Sequence, residues 1–128
     1  MKLSIETNAY RAFVDGDPIF VQAIQQAELV SFSVVVLGEL RAGFAHGTRR
    51  TENERILSQV LAAKRVVVHD VGDSTSAVYA RVRSEQRSKG LPIPTNDVWI
   101  AAQRLEMDYA LITRDAHFRS IAGLVVYP

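Results

Sequence analysis

The chain has no cysteine. Disulfides, thiolate metal sites and a cysteine nucleophile are therefore excluded, and a reducing cytoplasm suits such a sequence. Proline is scarce as well, with four in 128 residues, and no Pro-rich or Gly/Ser-rich linker divides the chain. One domain over residues 1–128 is expected. No apolar run approaches the ~20 residues that cross a bilayer. The short apolar start soon meets Glu6 and Arg11, unlike a signal peptide, so a soluble cytoplasmic domain with no membrane partner is expected. An excess of one charge is also lacking: 15 Lys and Arg against 14 Asp and Glu leave a net charge of +1. That sum neither favours nor disfavours a polyanionic partner, so the placement of the charges has to decide.

What is present is an apolar fraction of 48% with 23% charged residues, the composition of a globular domain rather than a disordered one. Leu3–Ile5 reads as a strand that passes directly into a helix at Glu6-Thr7-Asn8. Leu29–Phe32 reads as a second strand, and Ser33 is placed to cap the helix that carries Val36, Leu37, Leu40 and Phe44. Thr51-Glu52-Asn53-Glu54 has the form of a capping box ahead of Ile56, Leu57, Val60 and Leu61. Val66-Val67-Val68 is a β-branched third strand. Asp73 or Ser74 opens a helix stopped by Gly90 and Pro92, and Pro94-Thr95-Asn96 opens a more apolar one through Leu105. Tyr109–Ile112 is a strand, Asp115–Ser120 a helical turn, and Leu124–Tyr127 a last strand. Short apolar strands alternating with helices predict an α/β fold, a mainly parallel sheet covered by helices on both faces.

Four acids stand out against this background. Glu6 and Asp115 each lie just beyond the carboxyl end of a strand, where open parallel sheets build their sites. Asp97 occupies the first turn of an otherwise apolar helix, and Glu39 is the one charge within Val34–Leu40. Singly, each has a plain structural role: Asp97 beside a helix dipole, Asp115 as a cap, Glu6 and Glu39 as solvated edges. Jointly, four acids in mostly apolar contexts, two of them at strand ends, point to a shared site.

The blocks Ser4-Ile5-Glu6-Thr7-Asn8, Leu37-Gly38-Glu39-Leu40-Arg41-Ala42-Gly43, Thr95-Asn96-Asp97-Val98-Trp99-Ile100-Ala101-Ala102 and Leu111-Ile112-Thr113-Arg114-Asp115-Ala116-His117-Phe118 resemble, in order and spacing, the four motifs of PIN domains, most of all those of VapC-type toxins. The resemblance spans the chain. It implies a parallel sheet with the acids at one end binding Mg²⁺ or Mn²⁺, and Glu6, Glu39, Asp97 and Asp115 as the metal-site and catalytic acids. Asn8 and Thr113 match the supporting polar positions. It further implies an endoribonuclease acting on RNA of the translation apparatus (tRNA or rRNA), a VapB-type antitoxin that blocks the groove, and a homodimer.

Hard oxygen ligands suit such an ion, which offsets phosphodiester charge and activates water. A metal-free ribonuclease would need histidines instead. His46, His69 and His117 fall in unrelated segments and read mostly as surface residues, with His117, two beyond Asp115, the one candidate near the acids. Arg83 and Arg87 share a face of their helix and are the candidate RNA contacts, against a solvated helix surface. Tyr79 and Trp99 read as core. One departure matters: the family's first acid is normally Asp, and Glu6 is longer by about 1.5 Å. A displacement near 1 Å in a positioned site costs on the order of a hundredfold in rate, so attenuated cleavage, or a catalytically silent module that binds RNA or antitoxin, is the alternative expectation.

Overall fold

The computed structural model describes residues 1–128. Its elements run β1 (Lys2–Ile5), α1 (Thr7–Val14), α2 (Pro18–Gln26), β2 (Leu29–Ser33), α3 (Val34–His46), α4 (Arg50–Leu61), β3 (Val66–His69), α5 (Asp73–Lys89), α6 (Thr95–Met107), β4 (Ala110–Ile112), a 3₁₀ turn (Ala116–Ser120) and β5 (Val126–Tyr127). All strand pairs are parallel, in the order β3-β2-β1-β4-β5. The chain thus builds outward from β1 to β3, then returns across the sheet to lay β4 on the other side of β1. That reversal is a topological switch point between β1 and β4, and it opens a crevice beyond their carboxyl ends.

Right-handed crossovers in the two opposite directions put helices on opposite faces of the sheet. Ile5, Val30, Phe32 and Val66 point to one face, where they border a small cavity together with Phe13 of α1, Ile24 of α2 and Val60 of α4. Alternation turns Ser31 to the other face, where the Nη1 of Arg104 on α6 lies 3.4 Å from its hydroxyl. Between the layers Phe32, Leu111 and Phe118 are fully buried, each contributing about 2–3 kcal/mol of transfer free energy.

The predicted strands and helices are all found, with three corrections. A separate helix, α2, fills the stretch after α1. Gly16 takes a left-handed φ of +85°, ending α1, and Asp17 accepts from the Ile19 N–H at 3.1 Å with Pro18 behind it. The signal was the Asp-Gly-Asp-Pro run, which is punctuation and N-cap together. The capping box at Thr51 does not form: α4 starts at Arg50 with no side-chain cap. Thr51 is already inside the first turn, and Glu54, which would have to reach back to its N–H, lies 3.5 Å from Nε of Arg41. The last strand is shorter than expected, Val126–Tyr127 alone. Ser33, by contrast, caps α3 as its position predicts, accepting from the Val35 N–H at 3.0 Å.

Candidate active site

Glu6 is the N-cap of α1, with extended backbone geometry. Its Oε2 accepts from the Asn8 N–H at 3.0 Å and from the Thr113 hydroxyl at 3.1 Å. Its backbone N–H meanwhile donates to Ile112 O at 3.1 Å. The ends of β1 and β4 are laced further by Asn8, whose Oδ1 accepts from the Arg114 N–H at 3.0 Å, and by Thr113, whose Oγ1 accepts from the Asp115 N–H at 3.0 Å. The two supporting positions therefore orient two of the acids. Thr113 donates its proton to Glu6 while its oxygen fixes the backbone of Asp115.

The other two acids arrive from helices. Glu39, one turn into α3, accepts from the Thr7 hydroxyl at 2.7 Å and from the Asn96 amide at 3.4 Å. Asp97, in the first turn of α6, has Oδ2 2.9 Å from Nε2 of His117. Glu6, Glu39, Asp97 and Asp115 all line one open cleft of about 530 Å³, shared with Thr7, Asn8 and Asn96 and, apart from Pro94, with polar or charged residues only. His117, the outside candidate, is brought onto Asp97 by the 3₁₀ turn. Thr7 and Asn96 were missed by the sequence reading, although both sit beside an assigned acid in the same motif.

Burial and mutual repulsion act on these carboxyls. Glu6 is 4% exposed. Desolvation, opposed by its bonds from Asn8 and Thr113 and reinforced by Asp115 and Asp97, pushes its pKa up from 4.5 to about 7. Asp97, 8% exposed, is also raised by desolvation, against the lowering effect of His117 and with the charges of Glu39 and Asp115 adding to the rise. Acids that resist ionising together are what a cation would relieve. As the side chains stand, no three acidic or histidine groups are gathered tightly enough to ligate one ion. Glu6 and Glu39 are held instead by neutral partners and Asp97 by His117, while Asp115 is fixed only through its backbone N–H. The donor set nonetheless fits a hard divalent ion by its chemistry: four carboxylates that supply oxygen ligands in one open cleft, with neither sulfur nor a cluster of imidazoles among them.

Arg83 and Arg87 lie on α5, outside this cleft. Arg83 is committed within the chain: Nη1 donates to Ile93 O at 3.2 Å, Nη2 to the Thr95 hydroxyl at 3.1 Å, and the guanidinium sits 5.6 Å from the Tyr79 ring centre. Arg87 is exposed. Tyr79 and Trp99 are half-buried rather than core and stack at 4.0 Å between centroids. His69 is half-buried too, its Nδ1 2.7 Å from the Ser31 hydroxyl, a structural pairing that strand spacing alone does not announce.

Residues 4–124 match the PIN domain family. Ribonuclease VapC4 of Mycobacterium tuberculosis is 32% identical over 94 residues, covering 73% of this chain and 72% of the relative. Ribonuclease VapC2 of Rickettsia felis is 25% identical over 107 residues, covering 83% and 78%. Among solved structures, that of VapBC2 from Rickettsia felis bound to a DNA fragment from their promoter superposes with a TM-score of 0.88. It has 23% identity and covers 99% of this chain and 98% of the other.

Proposed function

The chain belongs to the PIN-domain family and to its VapC-type ribonucleases, and from that premise we propose that it is a divalent-metal-dependent endoribonuclease, the toxin of a toxin–antitoxin pair. The observation that carries this reading is the single cleft at the β1/β4 switch point lined by Glu6, Glu39, Asp97 and Asp115. These four would hold Mg²⁺ or Mn²⁺. When bound, such an ion neutralises phosphodiester charge and lowers the pKa of an attacking water.

The chain's own residues do the rest. Thr113 and the Asn8 N–H hold Glu6 at the strand end, Thr7 and Asn96 hold Glu39 across the cleft, and His117 fixes one oxygen of Asp97. Asp115, anchored only through its backbone by Thr113, keeps a carboxylate turned to the cleft. The substrate class is RNA of the translation apparatus, the partners are a VapB-type antitoxin and a second copy of the chain, and the compartment is the cytoplasm. Of the two candidate arginines, Arg87 is the one free to meet an RNA backbone; Arg83 serves the same region by holding the start of α6.

Glu6 favours a second reading, a catalytically silent module that binds RNA or antitoxin. Its extra methylene places the carboxylate about 1.5 Å further along the side chain than an aspartate would, and both of its hydrogen bonds fall on Oε2. One experiment separates the two: cleavage-end mapping with purified parent and Glu6→Asp proteins in Mn²⁺. The nuclease reading expects 5′-phosphate ends, with Glu6→Asp faster by about tenfold to a hundredfold. Cyclic 2′,3′-phosphate ends would refute the metal-dependent reaction. Absence of cleavage from both proteins would leave the silent module.

A further inference from the structure

Among the residues lining the four-acid cleft there is one cation, Arg11 of α1. It also lines a neighbouring groove of about 310 Å³ with Val14, Phe44, Asn53 and Ile56, formed by α1, α3 and α4. It therefore stands on the rim common to both. Its side chain is exposed and makes neither an ion pair nor a hydrogen bond within the chain, although Glu39 lines the acid cleft with it and Asp15 the neighbouring groove. What positions the guanidinium is a missing side chain. A Cβ on Gly43 would lie 2.8 Å from Nη2 of Arg11, so the guanidinium rests on the α3 backbone in the space that glycine leaves open. Gly43 follows Glu39 by four residues and so shares its helix face. The cation is thereby parked one turn from an acid of the cleft without being neutralised by it.

We propose that Arg11 is the phosphate-binding residue of this cleft: its guanidinium receives the RNA backbone phosphate next to the one being cut, directing the strand out of the acid cleft toward the groove between α1, α3 and α4. The inference rests on the nuclease reading above. Four carboxylates repel a phosphodiester chain, and an ion held among them offsets that repulsion only at the reacting group. The adjoining phosphate needs its own partner. An arginine suits it, because its planar fork can bond two phosphate oxygens at once and stays charged at every physiological pH. An unpaired guanidinium has no competing carboxylate to give up when the strand arrives.

Three variants test this: Arg11→Gln, which removes the charge; Gly43→Ala, which keeps it but displaces the flexible end of the side chain; and Arg81→Gln, an equal charge change on the exposed face of α5. Each is assayed in the Glu6→Asp background with Mn²⁺ on a labelled mixed-sequence single-stranded RNA of about 20 nucleotides. Arg11→Gln is expected to raise KM about tenfold with kcat within about twofold, and to reduce the slope of log affinity against log salt by about 0.7. Gly43→Ala should raise KM several-fold with a melting temperature no lower than the parent's, since alanine favours a helix interior over glycine, and Arg81→Gln should match the parent. If Arg11→Gln and Arg81→Gln give the same KM while cleavage persists, the role of Arg11 is overturned and the nuclease reading stands. If the Glu6→Asp parent neither binds nor cuts RNA, both fail together. A variant with parental KM that escapes inhibition by the antitoxin would also overturn it, assigning Arg11 to an acidic protein segment instead.

Discussion

Glu6 is buried at a strand end in a form that prefers its proton. The carboxyl has a pKa of about 7 in the folded chain against 4.5 for the free side chain. Between those values the folded state binds more protons than the unfolded state, so its contribution to stability is complete below about pH 4.5 and is lost as pH rises through 7. The loss amounts to ~3 kcal/mol at 1.36 kcal/mol per pKa unit. Glu6→Gln keeps an oxygen to accept from the Asn8 N–H and the Thr113 hydroxyl but cannot ionise. With a chelator present, the variant should match the parent near pH 4.5 and exceed it by about 3 kcal/mol at pH 8 in urea unfolding. A pH-independent difference would show that Glu6 ionises without penalty. Legibility at this scale was uneven. The four acids could be picked out because Glu39 and Asp97 interrupt apolar helices and Glu6 and Asp115 lie just past apolar strands. The burial of Glu6 and its bond from Thr113, 107 residues away in sequence, depend on two strand ends meeting, and no local pattern carries that.

At the scale of elements, the start of α6 is set by α5. The segment Leu91–Pro94 has no regular structure, yet it must deliver Asn96 and Asp97 to the cleft in a fixed orientation. Arg83 does this through Ile93 O and the Thr95 hydroxyl, which are charge-assisted bonds on a half-buried side chain. Arg83→Ala should cost about 1–2 kcal/mol in urea unfolding and lower kcat, whereas Arg87→Ala should leave stability within about 0.5 kcal/mol of the parent. Equal unfolding midpoints for the two variants would show that the pin is idle. The sequence reading grouped these arginines because they share a helix face, and a face is all that spacing reveals. What separates them is a connection that returns past Arg83 and leaves Arg87 in water. The same limit explains the remaining differences. Strands and apolar helices were legible because burial writes a periodic signal. The cap at Thr51 was misjudged because the helix begins one residue earlier, at Arg50, which leaves Thr51 inside the first turn, and Glu54, the acid that would complete the box, faces Arg41 on α3. The Asp17-Pro18 start of α2 was present in the sequence but lies between two stronger elements.

Over the whole molecule, the cleft depends on the order β3-β2-β1-β4-β5. Glu6 follows β1, Asp115 follows β4, Glu39 comes from α3 and Asp97 from α6, so the four acids meet only when the entire sheet and both helical layers are assembled. An ion held by them would bind the folded chain and not the unfolded one, stabilising it by RT ln(1 + [ion]/Kd), or ~1.4 kcal/mol at ten times Kd. For a domain of this size that corresponds to a rise in Tm of about 4–6 °C. The rise should be larger at pH 8 than at pH 6, since the ion competes with the proton that Glu6 otherwise keeps, and Asp97→Asn should abolish most of it. Scanning calorimetry with 5 mM Mn²⁺, at about matched ionic strength in KCl to separate specific binding from screening, measures both effects. An unchanged Tm in Mn²⁺ for the parent and for Asp97→Asn alike would mean that the acids do not act as one site. The raised pKa of Glu6 would then reflect burial alone, and the metal-dependent reading would fall with it.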